Sequence, residues 1–264
     1  MERSDAIRRL RDNLERVRET IADACRRAGR DPAAVRLVAV TKYVDLDMIG
    51  ALLDVGVHEL GENRVQQLVQ RAERVGATMA ELFGPEPERS GPGDRPPDAS
   101  AAVPRWHMIG HLQRNKVKTL LGHTRIIHSL DSPRLAREIQ KVAEARDLMV
   151  DTFVEVNVAE EESKYGVALP EVEAVAEAVG ACDRIRLRGL MTMAPFDPDP
   201  EAARPHFARL RELLERLRQG GAVGPDCAHL SMGMTQDYGV AVEEGATFVR
   251  IGSALYEEVS QVVT

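Results

Sequence analysis

Lysine is scarce in this chain. Among its 35 basic residues only five are lysines: Lys42, Lys116, Lys118, Lys141 and Lys164. Arginine supplies the generic positive charge, so a lysine in an unusual position needs its own explanation. Cysteine is scarcer still. Cys25, Cys182 and Cys227 are far apart and odd in number. They make neither a disulfide framework nor a metal knuckle, and they point to a reducing cytoplasm. One Trp, four Tyr and five Phe are too few for a platform that stacks single-stranded nucleic acid. There is no basic block, and 35 basic against 42 acidic residues leave a formal charge of −7, which argues against nucleic acid as a partner. No apolar run approaches the ~18 residues of a membrane span. The N-terminal segment is full of charge and lacks the apolar core of a secretion signal.

What is present suits a soluble globular protein. Hydrophobic residues are 44% and charged residues 29%, too apolar for a disordered chain. A length of 264 residues fits one α/β barrel. The chain opens with a helical pattern capped by Ser4 or Asp5, because Ile7, Leu10, Leu14, Val17, Ile21, Ala24 and Ala28 recur at spacings of three and four. Gly29 and Pro32 end it. Strand-like runs follow at 36–41, 57–60, 105–109, 125–128, 149–156, 186–191, 227–230 and 247–251. Helical patterns alternate with them, near 45–55, 63–75, 113–121, 132–146, 170–180, 200–219 and 234–244. This alternation predicts a single-domain α/β fold over 1–264, a closed (β/α)8 TIM barrel with an extra N-terminal helix. An open doubly wound sheet is the rival. Residues 84–104 carry six of the fourteen prolines and no periodicity. They read as a disordered insertion on the face opposite the active-site loops, unrelated to ligand binding.

Three features carry chemistry. Lys42 follows the first strand run and alternates onto the face of Val38 and Val40. If that face lines the barrel, the amine sits over an apolar interior, where burial favours its neutral, nucleophilic form. A lysine that ends a strand and snorkels into solvent is the plainer alternative. Next, the last two strand runs each enter a turn of small residues, Ser231-Met232-Gly233-Met234 and Gly252-Ser253-Ala254. Such turns aim backbone N–H groups at an anion, and in these barrels the loops after strands seven and eight frequently hold phosphate. Tight strand-to-helix turns without a ligand would look the same. Finally, Arg250 alternates with Gly252 and so also points towards the mouth. It is either an ion-paired residue at the core edge or a donor to the ring nitrogen of a pyridine cofactor. A guanidinium keeps its protons, so such a ring would stay unprotonated and be a poor electron sink.

With these residues assembled, the chain resembles the pyridoxal phosphate homeostasis family, whose fold is similar to the barrel of alanine racemase. The resemblance runs through LVAVTK (37–42), GENRVQQL (61–68), WHMIGHLQRNKVK (106–118), IHSLDS (127–132), VNVAEEESKYGV (156–167), GLMTMAP (189–195), HLSMGMTQDY (229–238) and VRIGSALY (249–256). It implies that Lys42 holds pyridoxal 5′-phosphate as an aldimine. It implies that Ser231, Met232, Gly233, Gly252 and Ser253 cradle the phosphate and that Arg250 meets the ring nitrogen. It places Asn63, Ile109 and Met191 near the ring, with His107 either approaching the cofactor or satisfied in the core.

The function implied is intracellular pyridoxal phosphate homeostasis, as carrier or regulator without strong turnover. No residue is assigned a catalytic role and none a metal. The chain ends eight residues after the last matched segment, so the further C-terminal domain that brings racemases a tyrosine base is not expected. A pyridoxal phosphate-dependent amino-acid racemase is the alternative, and a barrel for some other phosphorylated molecule a third. The implied partners are pyridoxal phosphate and the apoenzymes that need it, with no nucleic acid and no membrane; the chain is read as a monomer or weak homodimer. The run Glu160-Glu161-Glu162 before Lys164 reads as a solvated loop. His107, His111, His123 and His128 match no zinc spacing.

Overall fold

A computed structural model describes residues 3–83, 104–161 and 165–259, and the side chains of these except 79–83. The expected insertion at 84–104 lies outside the described residues, Pro104 apart. Nine strands are found among them: β1 (Arg36–Val40), β2 (Glu59–Glu62), β3 (Arg105–Met108), β4 (Ile126–Leu130), β5 (Val150–Asn157), β6 (Val167–Ala168), β7 (Ile185–Met191), β8 (His229–Ser231) and β9 (Phe248–Ile251). The helices are α1 (Arg3–Arg27), α2 (Leu46–Asp54), α3 (Val65–Phe83), α4 (Val117–Leu120), α5 (Pro133–Glu144), α6 (Val172–Gly180), α7 (Arg204–Gln219), α8 (Tyr238–Glu243) and α9 (Ser253–Tyr256).

All pairings are parallel, and β4 pairs with β5 while β9 pairs with β1, so eight strands close on themselves. This is the (β/α)8 barrel, with α1 as the extra N-terminal helix. The two-residue β6 stands outside the ring, attached to β5 through Val156 and Val167. Its brevity left no period to read. Among the described residues, no helix is long and apolar enough to cross a membrane.

Local chemistry accounts for the element ends. Asp45 caps α2 by accepting from the Met48 N–H at 2.8 Å, and Ser132 caps α5, with Pro133 following it. The run expected at 57–60 begins two residues later than read. Gly56 (φ +81°) and Val57 close α2 instead, with Val57 N–H donating to the Leu52 carbonyl at 2.9 Å and Gly56 N–H to that of Leu53 at 3.0 Å. Val57 is therefore the buried apolar contact of a helix terminus rather than the first strand residue.

Two apolar cores result. The larger fills the shell between strands and helices, and takes the α1 stripe Leu10, Leu14, Val17, Ile21 and Ala24. The smaller lies inside the barrel and consists of Val38, Ile126, Phe153, Met191 and Phe248. The rest of the barrel interior is polar, and that is where the chemistry lies.

Candidate functional site

Every residue expected at the site stands at or just past the C-terminal end of a barrel strand. Lys42 follows β1, Asn63 follows β2 and Ile109 follows β3, while Met191 ends β7, Ser231 ends β8, and Arg250 to Ser253 span the end of β9. Parallel strands present these ends on one face, the usual working face of such barrels.

Lys42 lies in a turn rather than in the strand. β1 stops at Val40, and Val44 N–H closes back on the Thr41 carbonyl at 3.1 Å. Lys42 is half-buried, with Nζ 4.7 Å from the centre of the exposed Tyr43 ring. A clamp from below holds the turn. Arg71 of α3 donates to the Thr41 carbonyl at 2.5 Å and to the Val44 carbonyl at 2.6 Å, and it pairs with the fully buried Glu62. Thr41 Oγ1 donates to the same Glu62 carboxylate at 2.5 Å. The backbone on both sides of Lys42 is thus tied to one guanidinium. The sequence reading missed Arg71; an arginine among several on an amphipathic helix gives no sign of reaching beneath a strand end.

The two turns expected to cradle an anion meet. Gly252 N–H and Ala254 N–H both point at Thr235 Oγ1, each at 3.4 Å. Two donors converge on one hydroxyl at the long limit of bonding. Thr235 was read only as a helix start, but α8 begins at Tyr238 and leaves Thr235 in the turn. A Cβ built on Gly252 would have only Val40 within reach, at 3.7 Å, so this glycine opens onto the mouth. Gly233 is different. Its φ is +91°, and a Cβ there would run into Ala241 and Tyr238 of α8, so close helix packing suffices to require it. Met232 turns its side chain into the outer core, and its N–H donates to the Phe248 carbonyl at 3.1 Å. Ser253 is exposed.

Arg250 is 3% exposed inside the barrel. Nη1 donates to Ser231 Oγ at 2.7 Å and Nη2 to the Thr192 carbonyl at 2.9 Å. Burial lowers its pKa to about 10, against the opposing pull of Glu155 and Asp237. It remains a cation at neutral pH. Glu155, at the end of β5 beside Met191, is buried, and its Oε2 has no hydrogen-bond partner. Burial raises this carboxyl to about 7, with Arg250 lowering it and Asp131 raising it. Glu155 also escaped the sequence reading; its signal was an acidic residue alternating with Phe153 on a barrel-lining face. Ile109 and Val38 fill the space that a Gly61 side chain would take, and Gly110 packs directly on Asn63.

The four clustered histidines separate. His111 pairs with Asp131 at 3.1 Å and His123 with Glu73 at 3.6 Å, both towards solvent. His107 and His128 are buried within the barrel and bonded to each other, so His107 is a satisfied core residue. Of the acidic run, Glu160 pairs with Arg209, while Glu162 and Lys164 lie outside the described residues. A groove of about 620 Å³ runs between the loops after β3 and β4, beside Arg114 and Arg134, and none of the ten expected residues lines it.

The family model described as alanine racemase, N-terminal domain, matches residues 8–259. A pyridoxal phosphate homeostasis protein of Aquifex aeolicus is 38% identical over 247 residues, 94% of this chain and 97% of that protein. A solved structure of an unknown protein from Bifidobacterium adolescentis superposes with a TM-score of 0.84 at 36% identity, covering 97% of each chain. PipY of Synechococcus elongatus, solved with PLP bound, superposes with a TM-score of 0.72 at 25% identity, over 94% of this chain and 99% of that one.

Proposed function

The chain belongs to the pyridoxal phosphate homeostasis proteins, within the family of the alanine racemase N-terminal domain, and on that premise we propose that it binds pyridoxal 5′-phosphate at the C-terminal mouth of its barrel, as a carrier or regulator of the cofactor. The observation that carries this reading is the pairing of a donor-only, buried Arg250 with two backbone N–H groups that converge on Thr235. A ring nitrogen requires a donor, and a phosphate requires several. Each hydrogen bond to a charged group contributes about 1.5–3 kcal/mol.

The residues divide the work. Gly252, Ala254, Ser253 and Thr235 hold the phosphate, with Ser231 and Gly233 shaping the facing turn and Met232 anchoring it to the outer core. Arg250 donates to the ring nitrogen, and Ile109, Met191 and Asn63 border the ring. Lys42 supplies the amine. Pyridoxal phosphate brings an aldehyde that condenses with an amine, with loss of water, and a ring that absorbs visible light once it has done so. Arg250 holds its own proton and leaves the ring nitrogen without one, which supports storage of the cofactor over carbanion chemistry.

The test is optical. With pyridoxal phosphate added, the protein develops a band near ~420 nm that borohydride bleaches, as an imine requires. Lys42→Ala loses the band but keeps its circular dichroism spectrum. A wild-type protein that stays colourless contradicts the proposal. Sustained racemisation of any amino acid, at the ~1 per second of a slow ordinary enzyme, would favour the racemase over the carrier.

A further inference from the structure

A line of hydrogen bonds crosses the barrel from Arg250 at the mouth to the opposite end. Arg250 Nη1 lies 2.7 Å from Ser231 Oγ. Ser231 Oγ lies 2.8 Å from His128 Nδ1. His128 Nε2 lies 2.9 Å from His107 Nδ1, and His107 Nε2 lies 2.6 Å from Glu59 Oε2. Glu59 opens β2 at the N-terminal face and pairs through its other oxygen with Arg105. The three inner members are essentially shut off from solvent: Ser231 and His128 are 0% exposed and His107 1%.

The direction of this line follows from the chemistry of its ends. A guanidinium has no acceptor, so Arg250 donates. Ser231 Oγ, accepting from Arg250, can either give its hydrogen to His128 Nδ1 or accept from that nitrogen with its second lone pair, and the Glu59 end decides between the two. That nitrogen accepts only if the His128 proton sits on Nε2. His107 Nδ1 must then accept as well, which puts its proton on Nε2, facing Glu59. An ionised carboxylate held by Arg105 can only accept. Reversal would need a donor at Glu59, so the line runs from Ser231 to Glu59. Both rings stay neutral: burial, with the nearby Arg105 and Arg36 charges, lowers His107 to about 3, and burial lowers His128 well below its ordinary range.

We propose that Glu59 is a positioning residue for the mouth: by accepting at the far end it selects one tautomer at His107 and His128, turns the Ser231 hydroxyl, and so holds the Arg250 guanidinium in the orientation that meets the cofactor ring. The inference rests on the pyridoxal phosphate reading for its consequence, but not for its geometry. It gives a purpose to two buried histidines and a buried serine where apolar residues would pack at less cost. A buried polar line is tolerable only when every member is satisfied, and here each link satisfies the next.

The test uses the full-length protein labelled with nitrogen-15 at histidine. Without cofactor and at neutral pH, His107 and His128 should both be neutral and carry their protons on Nε2. An Nδ1–H tautomer or an imidazolium at either ring overturns the proposal. Glu59→Leu removes the terminal acceptor and should scramble the His107 signal. It should weaken pyridoxal phosphate binding about tenfold, the loss expected for one misaligned hydrogen bond to a charged group, and shift the absorption maximum of the bound form. Glu59→Gln retains an accepting oxygen and should restore both. If Glu59→Leu does not fold, His107→Phe breaks the same line with a ring of similar size and should lower affinity similarly. Unchanged affinity and spectrum in the folded variants overturn the coupling. A wild type that shows the two tautomers yet never forms an imine fails the cofactor reading alone and leaves the relay standing.

Discussion

Arg250 and Glu155 are buried in the same mouth, and Glu155 Oε2 has no hydrogen-bond partner there. The Glu155 carboxyl is raised to about 7 from an ordinary 4.5. The folded protein therefore holds this proton more tightly than the unfolded chain does. The contribution to stability is whole below about 4.5 and is lost as pH rises through about 7, a difference on the order of 3 kcal/mol. Glu155→Gln removes the penalty. Urea unfolding at about pH 8 should find the variant more stable than wild type, with the advantage vanishing at acid pH; equal stability at both ends would show that the carboxyl is solvated. Arg250 itself was legible in the sequence, because alternation from Gly252 places it inside. Glu155 and Thr235 were not, because their roles depend on which neighbouring strand faces them and where a helix really begins, and neither is written in local spacing.

The turn after β1 shows how an element can be held from outside its own sequence. Thr41 and Val44 bracket Lys42, and both carbonyls take hydrogen bonds from Arg71 of α3. Removing that guanidinium takes away the Arg71 bond to the Val44 carbonyl, leaves the Thr41 carbonyl the Val44 N–H alone, and leaves the Glu62 carboxylate, 0% exposed, without its cation. Breaking one partner of such a pair typically costs about 3–5 kcal/mol. Arg71→Ala should lower the unfolding midpoint accordingly and slow the reaction of Lys42 with pyridoxal phosphate. Arg71→Lys keeps the charge but cannot serve three acceptors with the same geometry. It should recover stability in part and the imine poorly; full recovery of both would mean that charge alone sets the turn. The strands and their order were readable because apolar runs alternate with amphipathic ones. The clamp was not, because α3 and β1 are remote in sequence and meet only once the barrel closes. The late start of β2 has a similar origin, since Val57 is apolar for the sake of the α2 terminus.

Over the whole molecule, the barrel separates an apolar shell from an interior that is largely hydrogen-bonded. That interior makes the protein sensitive to acid. His107, His128 and His229 are all held below the ordinary histidine value, His107 at about 3 and His229 at about 4, mainly by burial. The unfolded chain takes up these protons first, so stability is complete above about 6.5 and falls as pH drops towards the folded values, by about 1.4 kcal/mol per unit for each histidine. Glu155 offsets one of the three. Denaturation at about pH 7 and about pH 5 should therefore differ by a few kcal/mol in favour of the higher pH, and a flat profile would mean that the interior histidines titrate freely. The closed barrel and the end of it that bears the expected residues followed from eight strand runs and the position of Lys42. The interior line from Arg250 to Glu59 did not, because it joins five strands whose order only closure defines.

The most direct test of cofactor attachment is to find where it occurs. Protein loaded with pyridoxal phosphate, reduced with borohydride and digested, should yield by mass spectrometry a single pyridoxyl-phosphate adduct, on the peptide containing Lys42. An adduct on Lys116, Lys118, Lys141 or Lys164 in its place, or no stoichiometric adduct at all, would contradict it.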